Sequence, residues 1–297
     1  MRPQIGLCLD IGLHDRTTLD LALPLLQQLR VEHVRLPIRA SDQHRPHANV
    51  WYRRLFDALS DCRILPVFSC AGLDAAMPTI AEPRDRLAVF VDRFLSEHGQ
   101  HFDTVQIGDE VDPTQFEIAA DIRRDDPFVA EVARLHRAAA CAQRHNKRTV
   151  LAGLRRVCGR FLKAVTQVGG LEHIDVVAAH VQPHAGSPFA EGSAFVSFLH
   201  LKRHLASLTD RPTWITTAAC PTTEDPTATA AFVESAATAP FQRLYWNPLL
   251  AQPAAAGPCT ALATAAGSPR PAFHHLRQLL AEKQRLQEHG VDLVAGC

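Results

Sequence analysis

Eight short runs rich in Val, Ile and Leu recur along this 297-residue chain, each followed by a longer amphipathic segment. That alternation limits the possible folds more than any other feature. A short apolar run bounded by turn residues suits a strand buried on both faces, and the amphipathic stretch after it suits a helix covering one of them. Strands are expected at 4–12, 32–38, 63–69, 102–108, 148–153, 174–180, 212–218 and 241–247. Helices are expected near 17–30, 49–60, 82–97, 126–146, 159–168, 191–209, 225–238 and 271–288. In "DRTTLD" hydroxyls precede an apolar stripe as capping groups, and "SPRPAFHH" sets a proline near a first turn. Eight parallel strands with right-handed helical crossovers close into a (β/α)8 TIM barrel, an α/β fold that a chain of this length completes as a single domain.

A doubly wound open sheet is the rival. It lacks support: no G-x-G-x-x-G follows the first strand, "GLCLDIGLHD" has the wrong spacing, and no G-x-x-x-x-G-K-[ST] occurs. The barrel is therefore expected to span 1–288, with "HGVDLVAGC" (289–297) as a C-terminal tail and "AQPAAAGPCTALATAAGSP" (251–269) as a long loop after the eighth strand. A hydrophobic content of 46% supports a large core. The 31 basic residues equal the 31 acidic ones, so no excess charge draws nucleic acid or an anionic membrane. No run approaches the ~18 apolar residues of a membrane span. The N-terminus lacks the apolar core of a signal peptide, and the eight scattered cysteines include no C-x-x-C. Reduced thiols and a cytoplasmic location are the expectation. Nothing in the sequence speaks to oligomeric state.

Chemistry in such barrels sits at the carboxyl ends of the strands. Those ends carry Arg35 on strand two, Cys70 on strand three, and Asp109 and Glu110 on strand four. Strand six offers His180, with His184 four residues beyond; strand seven offers Thr217 and Cys220; strand eight offers Trp246 and Asn247. Such a set suits a sugar. An indole face packs on the apolar face of a pyranose while charged groups hold its hydroxyls. A structural reading competes, in which Arg35 pairs with Asp109 and neutralises it, and Trp246 is core.

Motifs in chain order sharpen the comparison. "LRVEHVRLPI" carries a V-x-x-V-R pattern, "VQIGDEVD" is similar to an I-G-N-E-P-N strand end, and "IDVVAAHVQPH" ends a strand in a histidine. "RPTWITTAACPT" is similar to K-P-x-W-I-T-E-x-G-x-P, "LYWN" to a tryptophan-bearing eighth strand, and "GSPRPAFHHL" to a K-P-A-x-x-A-L helix start. With "RILPVFS" as third strand, the chain resembles the clan of retaining (β/α)8 glycoside hydrolases whose strands four and seven carry the catalytic glutamates. The resemblance implies a saccharide or glycoconjugate as ligand and no cofactor or metal. It places Glu110 as the catalytic acid/base, with Arg35, Asp109, His180, His184, Thr217 and Trp246 around the sugar.

Two positions depart from the clan. Asp109 stands where the motif has asparagine, so an ionised acceptor replaces a group that both donates and accepts, and two carboxylates become neighbours. Thr217 stands at the nucleophile position. A hydroxyl without an adjacent base does not replace a carboxylate in a retaining mechanism. Glu224 and Asp225 in "PTTEDPT", and Asp10 at the end of strand one, are the alternative bases; the "TTED" acids also suit a helix cap. Metal ligation by His180, His184, Cys220 and Asp109 is a weaker reading, because the proline in "HVQPH" keeps both rings off one helical face. His200 and His204 in "HLKRH" read as a solvated face. Three functions remain: a sugar-binding barrel that lost its nucleophile, an active glycosidase with an unconventional base or substrate-assisted chemistry, and a non-catalytic structural or partner-binding barrel.

Overall fold

A computed structural model describes residues 3–69, 72–76, 85–109, 127–154, 159–181, 194–219, 226–251 and 261–288. The strands are β1 (Gln4–Cys8), β2 (His33–Ile38), β3 (Arg63–Phe68), β4 (Thr104–Ile107), β5 (Arg148–Leu151), β6 (Val177–Val181), β7 (Thr213–Ala218) and β8 (Arg243–Trp246). The helices are α1 (Arg16–Leu29), α2 (Ala48–Ala58), α3 (Leu73–Ala76), α4 (Arg86–His98), α5 (Pro127–Arg144), α6 (Gly159–Gln167), α7 (Ala194–Ala206), α8 (Pro226–Thr238) and α9 (Pro271–Glu288). The expected alternation is present, with α3 as one added turn. The 289–297 tail and residues 252–260 of the loop after β8 lie outside the described residues.

Local chemistry explains the boundaries. Helix α1 buries Leu19, Ala22, Leu25, Leu26 and Leu29, a stripe three to four residues apart. Its cap is the Asp15 carboxylate, which accepts from the Thr18 N–H at 3.0 Å; the hydroxyls expected for that role do not supply it. Pro271 opens α9, where a missing N–H costs nothing. Strands are shorter than the apolar runs because burial outlasts pairing: Leu9 and Ile11 stay buried after β1 has ended.

All strands are parallel, in the order β5-β4-β3-β2-β1-β8-β7-β6. Bridges Val150–Val176 and Leu154–Ala179 join β5 to the start and middle of β6, and the ring closes. Leu151 N–H donates to Val176 O at 2.8 Å and His180 N–H to Leu154 O at 3.0 Å across this seam. The Asp175 carboxylate also accepts from the Thr149 N–H at 2.7 Å. A closed parallel ring excludes the open-sheet rival and makes the chain a (β/α)8 barrel.

Alternation along the strands divides the core in two. Cys8, Leu65, Val150, Val176, Ala178, Trp214 and Tyr245 fill the inside of the barrel. A larger cluster, including Leu7, Leu36, Phe68, Ile107, Ile215 and Trp246, packs between strands and helices. At the amino-terminal floor the Arg243 guanidinium lies 4.2 Å from the centroid of Trp214, and that of Arg148 lies 5.3 Å away. No helix among the described residues is long and apolar enough to cross a membrane.

Beneath α2 and α4 an aromatic wedge forms from Tyr52, Phe56, Phe94, Phe102 and His98. His98 is buried, and neither ring nitrogen has a hydrogen-bond partner among the described residues. Burial, helped by the charges of His101 and Arg53, pushes its pKa down to about 4. His33 at the floor is held down to about 4 by burial and by Arg243, Arg63 and Lys283. Unfolded, each ring takes a proton near its ordinary 6.5. Below that pH the unfolded chain binds more protons than the folded one, so stability falls from about pH 6.5 down to about pH 4. Urea unfolding at pH 7 and pH 4.5 checks this: His98→Phe should lose about 2 kcal/mol less on acidification than the parent protein.

Candidate functional site

The mouth is organised by a turn at the end of β4. Gly108 has φ +81°, and a Cβ there would lie 2.8 Å from the Ala152 Cβ. Only glycine accepts that conformation and that approach without strain. The turn carries Asp109 to Arg35, which reaches up from β2 with its side chain 5% exposed. Arg35 donates through Nη2 to Asp109 Oδ1 and through Nε to Gln106 Oε1 at 3.1 Å. Its Nη1 points at Cys8 Sγ at 3.9 Å. Gln106 passes the connection on, donating to Gly108 O at 3.1 Å. One guanidinium thus ties β1, β2 and β4 together.

The opposite wall comes from β6 and β7. A register shift after Ala179 sets His180 opposite Thr217, and both are buried. His180 Nε2 lies 3.9 Å from Asp109 Oδ1. Its ring fits because residue 153 is glycine: a Cβ on Gly153 would fall 1.8 Å from Nε2. The Cys8 thiol, beneath Arg35, donates to Thr216 O at 3.5 Å. Cation, carboxylate, amide, imidazole, hydroxyl and thiol therefore adjoin one another across five strands.

Burial governs the electrostatics. It pushes the Cys8 thiol up to about 11, against the opposing pull of Arg35. Burial alone would also lower Arg35, yet Cys8 and Asp109 leave it raised. Since the thiol is neutral at pH 7, the operative counter-charge is the Asp109 carboxylate. The Arg35–Asp109 pairing expected from the structural reading is present. Asp109 keeps 27% of its side chain exposed, so it faces the mouth while held from beneath.

Other expected residues are placed differently. Trp246 is fully buried, packs edge-on to Phe232 at 5.8 Å, and belongs to the cluster between sheet and helices; its neighbour Tyr245 points inside the barrel. The Trp246 indole N–H has no partner among the described residues. Asp10 pairs with Arg39, both partly exposed. His200 and His204 lie on an exposed face of α7, as expected. Cys8, Cys62 and Cys141 are free thiols. Glu110, His184, Cys70, Cys220, Glu224 and Asp225 lie outside the described residues. Sequence reasoning missed Cys8, Gln106 and Gly153. Gln106 alone carried a signal, as a polar residue inside the apolar run "TVQI". A cleft of about 890 Å³, lined by Gln4, Arg30, His33, Arg277 and Lys283, opens between α1 and α9 at the amino-terminal end, far from this chemistry.

No family model matches the chain, and no curated protein matches it by sequence. Solved structures do. A β-galactosidase from the psychrophilic Marinomonas ef1 superposes with a TM-score of 0.71 at 10% identity, over 97% of this chain and 61% of that one. A family 39 glycoside hydrolase from Bacteroides cellulosilyticus WH2 gives 0.68 at 14% identity, covering 94% and 64%. GH5_18 from Streptomyces cattleya, solved in complex with GlcNAc, gives 0.67 at 13% identity, covering 95% and 80%. The chain spans a little over three fifths of the first two proteins. At these identities the likeness defines the fold: this is a (β/α)8 barrel of the kind found in glycoside hydrolases.

The fit between Gly153 and His180 is directly testable. Gly153→Ala should cost about 2–3 kcal/mol in urea unfolding, because the new methyl collides with a buried ring in a packed wall. Adding His180→Ala to the same chain should restore most of that loss, which a double-mutant cycle measures.

Proposed function

We propose that this chain is a saccharide- or glycoconjugate-binding barrel related to the glycoside hydrolases, in which the usual retaining hydrolysis is lost. The observation that carries the reading is Thr217. It stands near the end of β7 as a buried hydroxyl, in register with His180. A retaining site needs a second carboxylate about 5–5.5 Å from its acid, to attack the anomeric carbon and offset oxocarbenium charge. A threonine hydroxyl with no adjacent carboxylate supplies neither.

What the mouth offers a sugar is directional hydrogen bonding. Asp109 accepts from a hydroxyl while Arg35 fixes its carboxylate, and His180 and Thr217 form the facing wall. Glu110 and His184, which follow Asp109 and β6 in the sequence, complete the site in this reading, with Glu110 at the acid/base position. Trp246 acts from behind, packing the end of β8 against Phe232. No cofactor enters.

Calorimetry against a glycan panel, paired with aryl-glycoside assays, tests the proposal. Binding should be measurable and fall at least tenfold in Asp109→Ala, while the unmodified protein releases no aglycone. Thr217→Glu should introduce turnover that a further Glu110→Gln removes. Turnover by the unmodified protein that Glu110→Gln abolishes would overturn the loss of hydrolysis in favour of an active glycosidase with another base. Absence of saccharide binding in every variant would favour a structural or partner-binding barrel.

A further inference from the structure

Outside the barrel, between two covering helices, three side chains of metal-ligating type meet. Asp92 comes from α4; Cys141 and His145 follow one turn apart, on α5 and just after it. Asp92 Oδ1 lies 3.5 Å from Cys141 Sγ and 2.9 Å from His145 Nε2, and one ligand atom from each residue lies within 4.8 Å of the others. A tetrahedral zinc ion, with bonds of about 2.3 Å to sulfur and about 2.0 Å to nitrogen and oxygen, sets sulfur and oxygen about 3.5 Å apart and nitrogen and oxygen about 3.3 Å apart. Both contacts of Asp92 Oδ1 stand near that spacing.

We propose that Asp92, Cys141 and His145 bind a borderline-soft divalent transition metal of the zinc class, which staples α4 to α5. The donor set selects the ion. A thiolate with an imidazole favours zinc over magnesium or calcium, whose preferred ligands are oxygen alone. Cys141 on the last turn of α5 and His145 just past its end both reach Asp92 Oδ1 as they stand. Exposure suits entry: Asp92 is 54% and His145 25% exposed, while Cys141 is buried and closes the inner side. Water takes the fourth position. On binding, the thiol proton passes to solvent as the metal–sulfur bond forms. One thiolate and one carboxylate then neutralise the dication, so the neighbouring Arg144 charge is met by an uncharged centre. A second cluster, His136, Glu172 and His173, has no sulfur, and its His173 Nδ1 bonds Gln143 Oε1 at 2.8 Å; it serves as an internal control.

Cobalt(II) titration of the full, chelator-treated chain reads the site directly. One equivalent should produce a near-ultraviolet sulfur-to-cobalt charge-transfer band, which the sulfur-free cluster does not give. Cys141→Ser should abolish the band, and Asp92→Asn or His145→Gln should weaken cobalt binding at least tenfold. Zinc at a hundredfold excess over Kd should raise the melting temperature by about 5 °C in the parent protein. At the same zinc concentration the rise should be no more than about half as large in His145→Gln, a part-exposed change that preserves the fold if Cys141→Ser does not. No band in the parent protein, a band that survives Cys141→Ser, or an equal zinc shift in His145→Gln overturns the proposal. None of these outcomes depends on the barrel mouth, so this site stands or falls apart from saccharide binding.

Discussion

The buried guanidinium of Arg35 is the constraint on which the mouth depends. Removing such a charge from water costs several kcal/mol unless its donors are satisfied. Here Gln106, Asp109 and the Cys8 sulfur meet them, each from a different place on the sheet. The requirement propagates outward. Asp109 must turn inward, so Gly108 must adopt its positive φ. With Asp109 fixed, His180 approaches to 3.9 Å, and residue 153 has no space for a side chain. A sugar-binding function would inherit its geometry from this charge pair, because the guanidinium beneath fixes how the carboxylate is turned.

The two ends of the barrel solve different problems. At the floor, Trp214 is covered by the guanidiniums of Arg243 and Arg148, and Tyr245 fills the space above it. These contacts are cation–π stacking and packing, tied by hydrogen bonds from Arg243 to Gln4 and from Trp214 to Gln242. At the mouth the groups alternate in charge and polarity, and Asp109 reaches solvent. That division between a packed floor and a polar rim follows from parallel strands, which place every carboxyl end and every following loop on one side. The aromatic wedge with His98 belongs to neither end. It secures α2 and α4 against the sheet and makes the fold sensitive to acid.

Much of this was legible beforehand. The apolar runs located all eight strands and the amphipathic stripes located their helices, because burial on two faces or on one leaves different periodicities. The ion pair of Arg35 with Asp109 was also foreseeable, since both types stood at adjacent strand ends and neither tolerates burial alone. Trp246 was not. "LYWN" reads equally well with either aromatic facing inward, and the structure gives Tyr245 to the barrel and Trp246 to the helices.

The sequence by itself determined the architecture and the chemical inventory of the rim: eight β/α units, a carboxylate where an amide was expected, and a threonine in place of an acid. Only the tertiary structure decided which of those groups meet. Irregularities near Ala179 and between Ile215 and Ala218 shift the two-residue alternation in β6 and β7, so counting along the chain does not tell where His180 and Thr217 point. The same holds for Asp92 and Cys141, 49 positions apart and joined by helix packing alone. Local periodicity is written in neighbouring residues, whereas contact across a ring is set by register, and register is a property of the closed sheet.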